Sequence, residues 1–256
     1  MSTPSSDPTL RFTNRVADYV RYRPTYPAAL VDHLRARGHL RSASIVADIG
    51  AGTGISSALF VDAGCGVYAV EPNAAMREAA MQALGHRAGF HAIAGRAEAT
   101  TLGDASVDLV SAAQAFHWFD ADAVRTEWQR ILRPGGVAVV YWNSRLVHGT
   151  AFVEGYERLL HEFGIDYAAV AERHQDDAAM LRWFGAGLLD HADFANAQAL
   201  DFDALRGRLL SSSYAPPAGH FRHHAMIAAL QALFDATARD GVVILPYRTR
   251  LFIGTP

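Results

Sequence analysis

The stretch Ser44-Ile45-Val46-Ala47-Asp48-Ile49-Gly50-Ala51-Gly52-Thr53-Gly54 decides the fold. Its first six residues form a short, mostly apolar run that ends in glycines, which predicts a buried strand. Residues 55–63 follow with a helical pattern, so the glycines lie on a strand-to-helix turn. Such a turn lets the backbone approach a ligand closely and directs helix N–H groups at its anionic part. The glycines alone are a weak signal, because any α/β protein can place a tight turn here.

The alternation of strands and helices continues on the C-terminal side of this turn. Apolar runs predict strands, bounded by glycine and proline, at 44–49, 67–71, 90–94, 107–112 and 137–142. Helical patterns lie between them at 55–63, 72–84 and 121–132, and 133–136 is predicted to be a turn. Five strands that alternate with helices are typical of a parallel sheet with helices on both faces.

The flanking segments do not follow this alternation. Residues 1–10 are predicted to be disordered, and two helical stretches, 12–22 and 27–37, are separated by a proline-rich segment. Residues 145–240 contain helical stretches and no clear strand, which is typical of a cap inserted over a site. The predicted organisation is an N-terminal helical segment, a ligand-binding core, a helical substrate cap and a closing strand pair, at 1–40, 41–144, 145–240 and 241–256.

Composition excludes several function classes. Half of the 256 residues are apolar, yet no apolar run is long enough to span a membrane, and the N-terminus does not resemble a signal peptide. We therefore expect a cytoplasmic protein without a membrane partner. Cys65 is the only cysteine, so neither an intrachain disulfide nor a cysteine cluster for metal is possible. No H-E-x-x-H pattern occurs, and we predict no metal site.

The charged residues exclude further function classes. All 23 basic residues are arginines. Without lysine, the chain cannot form a lysine Schiff base or complete the phosphate-binding loop of P-loop nucleotidases. The net charge of −3 and the scattered arginines argue against a nucleic-acid partner, so a small-molecule substrate is expected.

Polar residues and glycines follow three further predicted strands. Glu71 ends the second strand, 23 positions after Asp48, where a carboxylate can accept hydrogen bonds from two ribose hydroxyls. Gly95-Arg96-Ala97-Glu98 follows the third strand, and Gln114-Ala115-Phe116-His117-Trp118-Phe119 follows the fourth. The carboxyl ends of adjacent parallel strands converge on one crevice, so these segments are expected to lie together.

In this order the motifs resemble those of the class I S-adenosylmethionine-dependent methyltransferases. The resemblance is to the branch with D-x-G-x-G-x-G, an acid after strand two, G-x-A-E, Q-A-x-H-W-F and L-R-P-G-G, which includes trans-aconitate methyltransferase-like enzymes. The corresponding segments here are 48–54, Glu71, 95–98, 114–119 and 132–136, and 22–27 is similar to the Y-R-P-x-Y-P of the same branch. The resemblance covers about residues 12–142, with 247–254 as a plausible addition.

The resemblance implies a fold and a set of site residues. The fold is a Rossmann-like sheet of seven strands with N-terminal helices and an inserted helical cap, and the cofactor is S-adenosylmethionine. It places Asp48 near the amino group of the cofactor, Glu71 on the ribose and Ala97 beside the adenine. Arg96 departs from the acid that many members carry there, since arginine accepts no hydrogen bond. The methionine part and sulfur would contact Gly50, Gly52, Gly54, Gln114 and Phe116.

Four residues are candidates for contact with the methyl acceptor. His117 is placed to act as a general base, although a packing role explains it equally well. Arg23 can clamp a carboxylate of the cofactor or the substrate, or it can be a surface arginine beside packed tyrosines. Trp118 is expected to face cofactor or substrate. Tyr214, in the predicted cap, is a further candidate for the substrate pocket.

The expected function is methyl transfer to a small molecule, and the resemblance favours O-methylation of a carboxylic acid. Three other classes stay open at this point. An NAD(P)-dependent oxidoreductase would want G-x-G-x-x-G instead of the observed G-x-G-x-G. A tRNA or rRNA methyltransferase fits poorly with the mild acidity of the chain. A non-enzymatic cofactor-binding module is distinguished only by experiment, because methyl transfer requires few catalytic side chains.

Overall fold

The computed structural model describes residues 21–167 and 177–256. Its strands are β1 (Ile45–Ile49), β2 (Gly66–Val70), β3 (Phe90–Ile93), β4 (Val107–Ala113), β5 (Leu132–Arg145), β6 (Leu188–Leu200) and β7 (Val243–Gly254). The helices are α1 (Ala29–Ala36), α2 (Ile55–Asp62), α3 (Ala74–Leu84), α4 (Ala121–Ile131), α5 (Ala151–Phe163), α6 (Asp177–Phe184), α7 (Phe202–Leu210) and α8 (His223–Thr237). The disorder predicted for 1–10 and most of the helix predicted at 12–22 lie outside the described residues.

The strands of the described residues form one sheet of seven, in the order β3-β2-β1-β4-β5-β7-β6. The first five run parallel, whereas β7 is antiparallel to both β5 and β6. Helices α1, α2 and α3 contribute to the apolar core on one face, and α4 and α6 contribute to the core on the other. The predicted α/β class, a seven-stranded sheet covered on both faces, is confirmed.

The turn predicted at 133–136 is part of strand β5. Leu132 pairs with Val107 and Val137 pairs with Leu109, so the four intervening residues form an irregularity within the β4–β5 ladder. Gly135 has a φ of +81°, a backbone conformation that glycine adopts without strain. The proline and glycines interrupt the pairing, as predicted, but the strand does not start after them.

The closing strand pair predicted for 241–256 is wrong, because β7 is one continuous strand. Its pairing with β5 ends where Tyr247 faces Arg145, so Pro246 is opposed only by Ala197 of β6. The Pro246 carbonyl accepts a hydrogen bond from the backbone N–H of Leu146 at 3.0 Å. Proline has no N–H to donate to a neighbouring strand. It is tolerated at this position because strand β5 has already ended, so no ladder hydrogen bond to it is lost.

The prediction that 145–240 contains no strand is also wrong. Strand β6 lies within it, at the edge of the sheet, and its residues alternate between half-buried and exposed over almost its whole length. The helices predicted at 151–163 and 222–238 are confirmed as α5 and α8. With α7 they form the cap helices, whose apolar residues make a third core against the ends of β6 and β7. Within the two described segments, no helix is both long enough and apolar enough to cross a membrane.

Candidate functional site

The glycine-rich turn lies at the carboxyl end of β1, between β2 and β4. Gly50 has a φ of +67°, and a Cβ there would come within 2.7 Å of the Ala115 Cβ. Gly52 has a φ of +56°, but a Cβ there would meet no atom within 4 Å, because it would project into open space. The first glycine therefore allows close packing against the chain after β4, and the second leaves room above the turn.

Asp48 lies beneath the turn rather than in the open cleft. Its carboxylate is fully buried and accepts hydrogen bonds from the hydroxyls of Ser56, Ser57 and Ser111 at 2.5, 2.6 and 3.2 Å. Burial raises the pKa of Asp48, against the opposing effect of these hydroxyls. The arrangement ties β1 to the first turn of α2 and to β4, so Asp48 supports the shape of the turn.

Glu71 follows the last residue of β2 and holds the turn from the other side. Its Oε2 accepts a hydrogen bond from the Gly52 N–H at 2.9 Å, and its Oε1 accepts one from the Asn73 N–H at 2.8 Å. Arg77 donates to the Glu71 carbonyl oxygen at 2.7 Å. Burial raises the pKa of the Glu71 carboxyl, although both N–H groups counteract it. The result is an oriented carboxylate at the rim of the turn.

Three adjoining cavities open around these strand ends. The main cleft is lined by Gly50, Gly52, Glu71, Ala97, Gln114 and Phe119, among others. The inner cavity, on the other side of the turn, is lined by residues that include Arg23, Gly52, Thr53, Gln114, Asn143 and Arg208. The side cavity is lined by residues that include Gln114, Phe116, His117, Tyr141, Trp142 and Met180.

Gln114 is common to all three cavities. It directly follows β4 and has a φ of +56°, which is strained for a residue other than glycine. Two contacts hold it: its N–H donates to the Tyr141 carbonyl at 2.9 Å, and its side-chain amide donates to the Asn143 carbonyl at 3.1 Å. Strain held in this way is typical of positions where a side chain is directed at a ligand.

The aromatic segment after β4 divides between two cavities. Phe116 and His117 line the side cavity, and Trp118 lines the main cleft. The Phe116 ring packs against Trp183 with a centroid distance of 4.8 Å, so much of its surface is buried in the core. His117 is exposed, and its ring lies 4.7 Å from that of Trp118. Phe116 and His117 therefore lie in the side cavity, which shares Gln114, Ala115 and Phe119 with the main cleft.

The segment after β3 supplies the far wall of the main cleft. Ala97 is buried at the wall, and the side chain of Arg96 is two-thirds exposed. Glu98 also lines the cleft and accepts a hydrogen bond from the Asp120 N–H at 3.1 Å. A carboxylate acceptor is thus present two positions after the arginine that cannot accept.

The inner cavity is cationic. Arg23 lies on its wall and donates to the Ser211 carbonyl at 2.9 Å. Arg208, from α7, is only 6% exposed and donates to the hydroxyls of Tyr247 and Ser212 at 3.1 and 3.0 Å. The Thr53 hydroxyl, in the glycine turn, is buried and has no hydrogen-bond partner among the described residues. These groups surround a space that suits an anion.

The structure differs from the sequence-based expectation at Tyr214 and Arg208. Tyr214 packs in the core of the cap helices, with its ring 5.0 Å from that of Tyr167, and does not line these three cavities. Arg208 is a site residue that the sequence did not indicate, because an arginine on an amphipathic helix is normally exposed. Across residues 21–167 and 177–256, no group of three histidine, cysteine or acidic side chains is placed to hold a metal ion.

Comparison with known proteins agrees with this geometry. Residues 47–140 match a family model described as a methyltransferase domain. An uncharacterized methyltransferase of Mycobacterium tuberculosis is 39% identical over 145 residues, which make up 57% of this chain and 57% of that protein. A malonyl-[acyl-carrier protein] O-methyltransferase of Enterobacter lignolyticus is 39% identical over 108 residues, 41% of each chain. The chain thus spans less than two thirds of the length of these relatives.

One solved structure extends the similarity to almost the whole chain. A proposed type II methyltransferase from Anaeromyxobacter dehalogenans has a TM-score of 0.70 and 25% identity, over 91% of this chain and 98% of that one. The sheet and its flanking helices therefore have the Rossmann-like fold of class I methyltransferases, as the sequence motifs implied.

Proposed function

We propose that this chain is an S-adenosylmethionine-dependent methyltransferase that O-methylates a small carboxylic acid, in the branch of the trans-aconitate methyltransferase-like enzymes. The observation that carries the proposal is the pairing of the Glu71 carboxylate with the glycine turn at one cleft. The match of 47–140 to a methyltransferase domain supports the reaction class. A small-molecule acceptor, without nucleic acid or membrane, and a cytoplasmic location belong to the same proposal.

The residues around the main cleft fit the nucleoside part of this cofactor. Glu71 offers acceptors for two ribose hydroxyls. Ala97 flanks the position of the adenine, and the nearby Glu98 provides a carboxylate that Arg96 lacks. Phe119 supplies an apolar surface in the same cleft. Gln114 and Phe116 are assigned to the sulfur end, with Gln114 the closer of the two to the main cleft.

The inner cavity fits the amino-acid end of the cofactor. The buried Thr53 hydroxyl has no partner within the described chain, so a ligand atom would satisfy it. Gly52 leaves open space above the turn for this part of the cofactor, and Gly50 and Gly54 allow the turn to pack closely against Ala115 and Leu84. Asp48 supports this surface from below, rather than as a direct contact, through its bonds to Ser56 and Ser57.

S-adenosylmethionine supplies a methyl group that its sulfonium already activates. The protein therefore has to align the acceptor oxygen with that methyl group and exclude water. A carboxylate is ionised at neutral pH and requires no general base. His117 has a catalytic role only for an acceptor of higher pKa, from which its imidazole would remove a proton.

Positive charge at the inner cavity supports an acidic acceptor. Arg23 and Arg208 both line it, and among the described residues no carboxylate forms an ion pair with Arg208. Arg208 comes from the cap helices, which we therefore assign as the substrate cap. Trp118 lines the main cleft, whereas Tyr214 lies in the core of the cap helices and is not assigned a contact with the acceptor. The similar Enterobacter protein is named an O-methyltransferase, which supports the same acceptor atom.

The proposal is tested in two steps. Calorimetric titration with S-adenosylmethionine, S-adenosylhomocysteine, NAD and NADP should show micromolar binding of the first two only. Labelled S-adenosylmethionine is then incubated with panels of acids, phenols, amines and transcribed tRNA. Base-labile label in an acid establishes an ester product. Binding of a nicotinamide nucleotide alone would overturn the cofactor assignment, and label in tRNA or in phenols alone would overturn the acceptor class.

A further inference from the structure

Arg208 is a buried cation that donates its side-chain hydrogen bonds to neutral groups of the protein. Its guanidinium bonds to two neutral hydroxyls, those of Tyr247 and Ser212. Among the residues the structure describes, no carboxylate forms an ion pair with it, whereas Arg145, also partly enclosed by the cap helices, is paired with Glu157. Leaving a charge buried without a counterion is costly, unless a ligand supplies the opposite charge.

The surroundings of Arg208 direct it at the glycine turn. It lies on the wall of the inner cavity with Thr53 and Arg23. The Ser211 hydroxyl donates to the Arg208 carbonyl, and the Ser211 carbonyl accepts from Arg23, so the end of α7 connects the two arginines. The Thr53 hydroxyl, buried in the turn itself, has no hydrogen-bond partner in 21–167 and 177–256.

We infer that Arg208 forms a carboxylate-binding subsite in the inner cavity, with the Thr53 hydroxyl and the Arg23 guanidinium beside it. A guanidinium presents parallel N–H donors that match the two oxygens of a carboxylate. The Thr53 hydroxyl can donate one further hydrogen bond. The inference rests on the proposed function and deepens it, because it assigns a specificity role to a residue of the cap.

Two carboxylates have access to this cavity. One is the amino-acid carboxylate of the cofactor, since the cavity shares Gly52 and Gln114 with the main cleft. The other is a carboxylate of the acceptor that is bound and not methylated, because an oxygen held by a guanidinium is a poor nucleophile. Both sources use the same chemistry, and binding measurements separate them.

The experiment measures binding to the full chain. Wild type, Arg208→Met, Arg208→Lys and Thr53→Val are titrated with S-adenosylhomocysteine and with its analogue that lacks the carboxylate. The complexes with S-adenosylhomocysteine are then titrated with acetate, against chloride at equal ionic strength. Arg206→Met is the matched control, since Arg206 lies on the same helix but is exposed and paired with Asp203. Circular dichroism establishes that each variant is folded.

If the subsite binds the carboxylate of the cofactor, wild type should bind S-adenosylhomocysteine at least about tenfold more tightly than the analogue. This preference falls to within twofold in Arg208→Met and is partly kept in Arg208→Lys. If the subsite instead binds a carboxylate of the acceptor, Arg208→Met should keep the preference for S-adenosylhomocysteine over the analogue but lose acetate binding. Thr53→Val does not change helix α7. We expect it to lower about threefold whichever of the two Arg208→Met reduces, the preference for S-adenosylhomocysteine or the affinity for acetate.

The inference is overturned if Arg208→Met keeps both the ligand preference and the acetate binding of wild type. It is also overturned if folded wild type neither prefers S-adenosylhomocysteine over the analogue nor binds acetate. If Arg208→Met does not fold, Thr53→Val decides: a folded Thr53→Val variant with the ligand preference and the acetate binding of wild type would overturn the inference. Failure of wild type to bind S-adenosylhomocysteine at all would instead refute the proposed function, so the two failures are distinguishable.

Discussion

The backbone N–H of Gly52 donates a hydrogen bond to the carboxylate of Glu71 at 2.9 Å, which joins the turn after β1 to the end of β2. The second oxygen of the carboxylate is held by the Asn73 N–H, so the group has one orientation. Two strands that are neighbours in the sheet thus present a glycine turn and an anion to the same cleft. The first predictions test this relationship.

Replacement of Glu71 by Gln should weaken S-adenosylhomocysteine binding by about tenfold to a hundredfold, since hydrogen bonds to a charged acceptor contribute about 1.5–3 kcal/mol. Calorimetry measures the change. Glu78→Gln is the control, because Glu78 is exposed on α3. The affinity of this variant for S-adenosylhomocysteine should stay within about twofold of wild type. Equal affinity of Glu71→Gln and wild type would refute the ribose assignment.

The same carboxylate predicts a pH dependence of binding. Burial raises the pKa of Glu71, and only the ionised form accepts hydrogen bonds at both oxygens. As pH falls through this pKa, the free protein takes up a proton that binding must release, so the affinity decreases; above the pKa it is constant. Calorimetry from about pH 8 to about pH 5 tests this. In Glu71→Gln the slope should disappear, and an unchanged slope would assign the titration to another group.

Gly52→Val should abolish measurable cofactor binding, with at least about a hundredfold loss. The branched side chain would occupy the open space above the turn, in a residue whose φ is +56°. Gly64→Val is a matched control for the backbone strain, since Gly64 has a φ of +82° and open surroundings but lies outside the three cavities. The control should lose stability and keep its affinity. Similar losses of affinity in both variants would mean that strain, not the site, is responsible.

His117→Ala should leave turnover of a carboxylic acid within about threefold of wild type, because no proton has to be removed. His117 is exposed and lines the side cavity, so cofactor binding should also be unaffected. The measurement is kcat/KM between about pH 6 and pH 8 in both proteins. A large loss of kcat, together with a change in the pH dependence of kcat/KM, would make His117 a general base and point to a more basic acceptor.

Asp190→Asn should lower the free energy of unfolding by about 1 kcal/mol at neutral pH. Asp190, on edge strand β6, accepts a hydrogen bond from His33 at 2.8 Å and pairs with Arg37 at 2.9 Å, both near α1. Burial alone would raise the pKa of Asp190, but these partners outweigh it and hold the pKa below its ordinary value. The contribution is therefore present at neutral pH and is lost as pH falls through the lowered pKa.

Denaturant unfolding at neutral and acidic pH measures this contribution. Asp193→Asn is the control, because Asp193 lies on the same strand, is half exposed and pairs loosely with two arginines at 3.7 and 3.8 Å. It should change stability by less than about 0.5 kcal/mol. A difference between Asp190→Asn and wild type that persists in acid would contradict the assignment.

The parallel half of the fold could be predicted because its signals are local. The first three strands are short apolar runs followed closely by glycine or proline, and the helices between the strands end at glycine or just before proline. Glu71 and Gln114 could be predicted as site residues for the same reason, since they directly follow β2 and β4. Parallel strands bring their carboxyl ends to one edge, so the order of elements places the residues together.

The antiparallel half could not be predicted, because its signals depend on pairing. Strand β6 is rich in alanine and has no β-branched residue, a composition that favours a helix by local preference. Its pairing along β7 overrides that preference. Likewise, Pro246 indicated a turn, but its position at the end of the β5 ladder allows a continuous strand.

The sequence by itself determined the class of the fold, the glycine turn with its acidic partner and the cofactor that they suggest. Only the tertiary structure decided that Asp48 lies beneath the turn, that Tyr214 packs within the cap and that Arg208 enters the inner cavity. The physical reason is that burial of a charged side chain depends on partners far along the chain. Arg208 meets Tyr247 from β7 and the turn that carries Thr53, which no local pattern around α7 records.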